Sequence, residues 1–154
     1  MVTIRKFRQS DAKACAQVIV ETFSQFNKNE GTKAAAQKYI EQYSPKLPQE
    51  VLLERFRATP IFFVAVENEK VIGLARGRPN KITNLFILGK HHGAGIGKKL
   101  MQRFEAEAKR QKSKFVKARA SLYATPFYQG IGYRKTTGIR TFHGLRVQPM
   151  SKKL

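Results

Sequence analysis

The chain has 154 residues, 42% of them hydrophobic, and carries thirty Lys and Arg against ten Asp and Glu, a formal charge of +20. That length suits one domain around one core. Its longest apolar run, from Ile61 to Val66, is far shorter than the roughly 20 residues a membrane-spanning helix needs. A lone cysteine, Cys15, excludes an internal disulfide, and no leader pattern precedes Ile4. The expectation is a single cytoplasmic domain over 1–154 with no membrane association.

In chain order, a strand over 2–8 leads to an amphipathic helix over about 10–26, with Ser10 as its N-cap and Asp11 in its first turn. Cys15 falls in register with Ile19, Phe23 and Phe26 on the apolar side of that helix, which makes it a core residue. Helical patches over 32–43 and 48–58 are separated by Ser44-Pro45-Lys46-Leu47-Pro48, whose prolines interrupt helix. A hairpin follows, with strands 61–67 and 70–78 around a turn at Asn68-Glu69. Strand 81–88 feeds a glycine-rich loop and a helix over 97–111. Strand 115–121, a short helix over 125–131 and strands near 133–137 and 140–149 complete the chain. Strands alternating with helices, plus an antiparallel hairpin, indicate an α/β fold: a mixed sheet with helices on both faces.

The stretch from Asn84 to Gly97 carries the densest chemical signal. A short apolar run breaks into a loop with Gly93, Gly95 and Gly97 at alternate positions, and Ile96, Leu100, Phe104 and Ala108 then mark one face of a helix. Alternate glycines at a strand-to-helix junction let backbone N–H groups converge on an anion, and the helix N-terminus adds partial positive charge. Lys98 and Lys99 sit in that first turn, where cations oppose the helix dipole and an anionic ligand would account for them. A plain chain reversal is the alternative. The Walker pattern is excluded because Gly97-Lys98-Lys99 lacks the closing hydroxyl. The dinucleotide fingerprint is excluded because no acid follows at about twenty residues to hold a ribose.

A second segment, Phe115 to Tyr133, reads as a strand, a short helix begun at Thr125-Pro126, and a glycine stop. Taken with the loop, it resembles the GNAT superfamily of acetyl-CoA-dependent N-acetyltransferases. The family's loop, Gln/Arg-x-x-Gly-x-Gly/Ala, is matched by His92-Gly93-Ala94-Gly95-Ile96-Gly97 apart from its first residue. The family's later pattern, Asn-x-x-Ala-x-x-Phe-Tyr followed by Gly-Phe/Tyr, is matched by Ser121, Ala124, Phe127, Tyr128, Gly132 and Tyr133. Ile4 to Ala12 also looks like the family's first strand and the start of its first helix, so the resemblance spans essentially the whole chain.

The resemblance implies a mostly antiparallel sheet of about six to seven strands and direct transfer of an acetyl group from acetyl-CoA to a primary amine. It implies that the pantetheine arm pairs with the backbone of Leu85 and Ile87, and that the pyrophosphate lies on the loop from His92 through Gly93, Ala94, Gly95, Ile96 and Gly97 to Lys98. Ser121 stands where the family has an asparagine beside the arm, with a shorter side chain. Tyr128 is the implied general acid to the CoA sulfur, and a phenol near pKa ~10 is protonated at neutral pH and able to donate. Tyr123 is a nearby substitute. Many family members carry a glutamate base where this chain has Thr83; Glu21, Glu30, Glu41, Glu50, Glu54, His143 or a water chain remain open, and no base is assigned. His91 and His92 are adjacent and point different ways, so no metal is expected.

The charge is uneven. No acid follows Glu107, whereas Lys109, Arg110, Lys112, Lys114, Lys117, Arg119, Arg134, Lys135, Arg140, Arg146, Lys152 and Lys153 do. A field of this kind steers polyanions and repels free polyamines. The partner is then an amine acceptor, small molecule or protein, carried on something anionic such as aminoacyl-tRNA, a ribosomal surface or an acidic protein terminus, with RNA or another polyanion as the wider partner class; a merely solvated basic surface is the alternative. Most phenylalanines fall in apolar strand or helix patterns, so no stacking platform for a single strand is legible. The rival to an enzyme is a non-catalytic basic module that binds nucleic acid on a CoA-binding fold. Monomer and homodimer are both open.

Overall fold

β1 (Val2–Lys6) delivers the chain through a 3-10 turn (Gln9–Asp11) into α1 (Ala12–Phe26), and Asp11 controls the junction. Its carboxylate accepts the Arg8 N–H at 2.8 Å and both Arg5 guanidinium nitrogens at 2.8 and 3.0 Å. Asp11, and not Ser10, occupies the N-cap position of α1, but its side chain makes no capping bond to that helix. The 3-10 turn takes up Ser10, and the Asp11 carboxylate reaches back to Arg5 and the Arg8 amide. Burial pushes the Asp11 carboxyl up, but the Arg5 hydrogen bonds and the Arg8 amide outweigh it and hold the group below the ordinary carboxylate range. The stabilisation is complete above the unfolded pKa of about 4 and is lost as pH falls through the lower folded value. Asp11→Ala, which removes charge-assisted hydrogen bonds to Arg5 and the Arg8 amide, should cost about 1–2 kcal/mol at pH 7 and less at about pH 2. Urea titrations at the two pH values check this, and an equal loss at both would show that the carboxylate charge is irrelevant.

In this computed structural model, which describes residues 1–154, α2 (Lys33–Gln42) and α3 (Gln49–Arg57) follow, the first capped by Thr32 Oγ1 accepting from Ala35 N at 3.0 Å. Then come β2 (Ile61–Glu67), β3 (Lys70–Arg78), β4 (Lys81–Ile87), α4 (Ile96–Arg110), β5 (Phe115–Ser121) and α5 (Thr125–Gly130). Three strands finish the chain: β6 (Arg134–Lys135), β7 (Arg140–Phe142) and β8 (Leu145–Lys153). The eight strands form one sheet in the order β1-β2-β3-β4-β5-β8-β6, with β7 on β8. Every pairing is antiparallel except β4 with β5. The sequence pattern implied one or two strands fewer. It read 140–149 as one strand, whereas His143 (φ 51°) and Gly144 (φ 80°) fold it into a hairpin. Two successive left-handed residues are what a tight hairpin turn requires. The turn expected at Asn68-Glu69 has the same form, at φ 51° and 63°.

Helices cover both faces of the first half of the sheet. On one face α4 packs through Ile96, Leu100, Phe104 and Ala108, all buried as their four-residue spacing predicts, and Arg103 lies over the Phe63 ring. On the other, Phe62 meets Phe56 of α3, and Cys15, Ile19 and Phe23 of α1 are buried. Burial raises the Cys15 thiol well above its ordinary pKa, which removes it as a nucleophile. On this side Arg76 is 2% exposed with no carboxylate partner. It donates to Asn84 Oδ1 at 2.6 Å, Thr59 Oγ1 at 2.9 Å and Tyr43 Oη at 2.6 Å. Neutral acceptors and the Tyr43 and Phe56 rings replace the missing anion.

Two features of the sheet set the stage for function. β4 and β5 are paired only at Lys81–Lys117 and Ile82–Ala118, and then separate. The rest of β4, with Thr83 bulged out of its ladder to β3, keeps one edge without a strand partner for about 17 Å. Beyond the split, β5, β8, β6 and β7 carry α4 and α5 on one face only. The other face is bare, and it exposes Phe115 and Phe142 at 37% and 39%. These two rings depart from the expected apolar burial because each lies on the outward side of its strand.

Candidate active site

The split between β4 and β5 opens a cleft of about 410 Å³, floored by the end of β4 and walled by the start of α4, the end of α1 and the turn after β5. Leu88 N–H bonds back to Ile72 O of β3. Because antiparallel strands alternate the direction of their backbone groups, the amides of Leu85 and Ile87 point the other way, toward the cleft. Here β4 offers free backbone pairing groups in a walled groove.

The loop after β4 supplies a second set of free donors. His92 N–H bonds to Gly89 O, and Lys99 N–H bonds to Gly95 O as the first bond of α4. Between them the N–H groups of residues 93–98 find no acceptor in the protein. Gly93 and Gly95 hold φ of 81° and 78°, a left-handed conformation that glycine adopts without strain. A β-carbon built on either would meet no atom within 4 Å, so the space over the loop is open. Lys98 and Lys99 are exposed there and make no ion pair. Unpaired amides, a helix N-terminus and the cleft-lining Lys98 make this end of the cleft electropositive, chemistry that suits an anion.

Nine of the ten sequence-predicted cofactor residues line this one cleft: Leu85, Ile87, His92, Gly93, Gly95, Ile96, Gly97, Lys98 and Ser121. Ala94 lies at the exposed crest of the loop and does not line it. Ser121 Oγ accepts from Ala124 N at 3.0 Å, which starts the turn into α5 and leaves its own hydroxyl proton free to donate. His92 has a defined role. Its Nε2 lies 2.6 Å from Ile87 O, and since a carbonyl only accepts, Nε2 carries the proton. Nδ1 lies 3.3 Å from Tyr123 Oη. Phe26 stacks on both rings, so Phe26, His92 and Tyr123 form an aromatic rim.

The two phenols differ in placement. Tyr123 is 53% exposed and lines the cleft. Tyr128 stands behind Phe127, which does line it, and is only 5% exposed. Tyr128 Oη makes no hydrogen bond within the protein and keeps only a trace of exposure at the edge of a buried ring. Burial, reinforced by Glu105, raises the Tyr128 phenol above its ordinary pKa and keeps it protonated.

Of the carboxylates left open as a base, Glu30 is the one brought to the rim. Its Oε1 accepts from Asn27 Nδ2 at 3.0 Å and its Oε2 from Tyr123 N at 2.8 Å, and both partners line the cleft. Glu21, Glu41, Glu50 and Glu54 are exposed on their helices and His143 sits in the hairpin turn. Thr83, in the β4 bulge, has no acid beside it in the chain. Sequence reasoning missed the wall from α1, namely Thr22, Phe26 and Asn27, because nothing local ties that helix end to residues nearly a hundred positions away. No cluster of three or more His, Cys, Asp or Glu side chains could hold a metal ion.

A family model described as an acetyltransferase (GNAT) domain matches residues 12–154. Among solved structures, a GCN5-related N-acetyltransferase from Rhodopseudomonas palustris superposes with a TM-score of 0.83 at 19% identity, covering 99% of this chain and 95% of that one. The PaiA N-acetyltransferase of Thermoplasma acidophilum, solved with coenzyme A, gives 0.76 at 19% identity, with 100% and 99% covered. A ribosomal-protein alanine N-acetyltransferase from Escherichia coli gives 0.69 at 16% identity, with 99% and 94% covered. These identities establish the fold, and the family match, which takes in both the glycine loop and the Phe127-Tyr128 segment, establishes the rest: the chain belongs to the GNAT family of N-acetyltransferases.

Proposed function

We propose that the β4–β5 cleft binds acetyl-CoA and that the protein moves its acetyl group directly to a primary amine. The observation that carries this is the continuity of two sets of unpaired backbone amides, those of Leu85 and Ile87 on the β4 edge and those of residues 93–98, along one cleft. An extended amide-bearing arm matches the first set and a pyrophosphate the second. The bound cosubstrate supplies a thioester already activated for attack. The chain's own residues do the rest. Gly93 to Lys98 hold the phosphates, with Lys98 and Lys99 adding charge, and the β4 edge orients the arm. His92 occupies Ile87 O, so the arm either displaces the ring or takes it as a neighbour on that carbonyl.

As the amine nitrogen bonds to the acetyl carbon, the carbon–sulfur bond breaks and the sulfur needs a proton. Tyr128 Oη, protonated at neutral pH, supplies it in this reading. Tyr123, on the cleft wall, is the second candidate. The proton shed by the amine leaves through water; Glu30 is the carboxylate held at the cleft rim by Asn27 and the Tyr123 amide. Isothermal calorimetry with acetyl-CoA, with free-thiol release followed across a set of amines, tests the proposal. Micromolar binding and amine-dependent thiol release are expected. Absence of binding would instead favour a non-catalytic module on this fold.

A further inference from the structure

The bare face of the second half-sheet is chemically unlike the rest of the surface. Cross-strand partners point to the same side of a sheet, so the registers define what this face carries. Phe115 pairs with Lys153, Lys117 with both Ser151 and Lys81, and Arg119 with Pro149. Arg134 pairs with Ser151, Arg140 with Val147, and Phe142 with Leu145. The result is two exposed aromatic rings among six cations, with no acid on any of these strands. None of the protein's three ion pairs involves any of these cations. The rings and cations are interleaved: Arg119 lies 3.8 Å from the centre of the Phe142 ring, and Lys117 Nζ lies 5.5 Å from that of Phe115.

We infer that this face is a platform for single-stranded nucleic acid, stacking bases on Phe115 and on the Arg119–Phe142 layer while the surrounding lysines and arginines hold the phosphates. Rings beside cations on a rigid open sheet suit a strand whose bases have free π-faces. An acidic peptide would use the cations but leave the rings without a role. A second copy of the chain would press six like charges against six more. The crowding is felt within the protein itself, since burial and the neighbouring Arg119 and Arg78 depress the Lys81 amine. The platform also has a direction. Phe115, Lys117, Arg119 and Ser121 succeed one another along one side of β5 at steps of about 7 Å, and Ser121 lines the cleft. A bound strand therefore runs toward the mouth of the cleft.

The test is fluorescence anisotropy with a labelled oligouridylate of about twelve nucleotides, at low and high salt. Removing both rings in Phe115→Ala/Phe142→Ala should weaken binding by at least tenfold without changing its salt dependence. Phe115→Leu/Phe142→Leu keeps apolar bulk and should show the same loss should the alanine variant fold poorly. Lys117→Gln/Arg119→Gln should lower the slope of log affinity against log salt by about 1.4, two phosphate contacts at about 0.7 each. Acetyl-CoA affinity, measured separately by calorimetry, should be unchanged in all three, so failure of this inference is distinct from failure of the cofactor reading. No binding at low salt, or ring variants that bind like the parent, would overturn it. Competition by polyglutamate as effective as by unlabelled RNA would assign the face to acidic protein, and self-association that buries the rings would assign it to a second copy; either also overturns it.

Discussion

Tyr128→Phe should lower acetyl transfer by at least tenfold, and by as much as about 10²–10⁴, the range typical of general acid–base catalysis. The substitution deletes one oxygen from a ring that packs edge-on against Phe127 and Tyr133, at centroid distances of 5.5 and 5.2 Å. That oxygen bonds to no other residue, so stability and acetyl-CoA affinity should hardly move. The loss belongs in the turnover rate, measured under single-turnover conditions so that product release does not mask chemistry. Tyr123→Phe is the companion measurement. It breaks the contact of Tyr123 with His92 and leaves the aromatic stack on Phe26. A large loss in Tyr123→Phe with none in Tyr128→Phe would transfer the acid role to the exposed phenol.

Gly95→Asn should weaken acetyl-CoA binding by at least tenfold, about 1.4 kcal/mol, with the thermal midpoint close to the parent's. Asparagine tolerates the left-handed backbone that Gly95 adopts at φ 78°, whereas a β-branched residue would be strained whatever the space. Its side chain extends into the open region above the loop, where the amides of residues 93–98 converge. Fold and affinity are thereby separated. Calorimetry on the folded variant decides: unchanged affinity would reduce the loop to a chain reversal.

Much of this architecture is written in local pattern. The four-residue spacing of Ile96, Leu100, Phe104 and Ala108 identifies the buried side of α4, and the Asn68-Glu69 turn identifies a hairpin. Glycines at alternate positions before α4 mark the open loop, and their order relative to Ala124, Phe127 and Tyr128 indicates the family that the match over residues 12–154 establishes. The misreadings are also local. His143-Gly144 interrupts an otherwise strand-like run with a two-residue turn, and a 3-10 turn over Gln9–Asp11 takes up Ser10 and moves the start of α1 to Ala12.

Local pattern encodes no more than one helix turn or one strand repeat can hold: the elements, the core side of α1 and α4, the glycine loop and the excess of positive charge. Tertiary structure alone decided where β4 and β5 part, because strand pairing is chosen by residues more than thirty positions apart. It alone carried Glu30 to Tyr123, 93 residues away, and set His92 against Ile87 O within the cleft. The basic surface shows the same division. Composition reports the cations and rings. The register of β4, β5, β6, β7 and β8 gathers them on one face, because a strand's two-residue repeat divides its side chains between two sides and only the packing of α4 and α5 settles which side is left open.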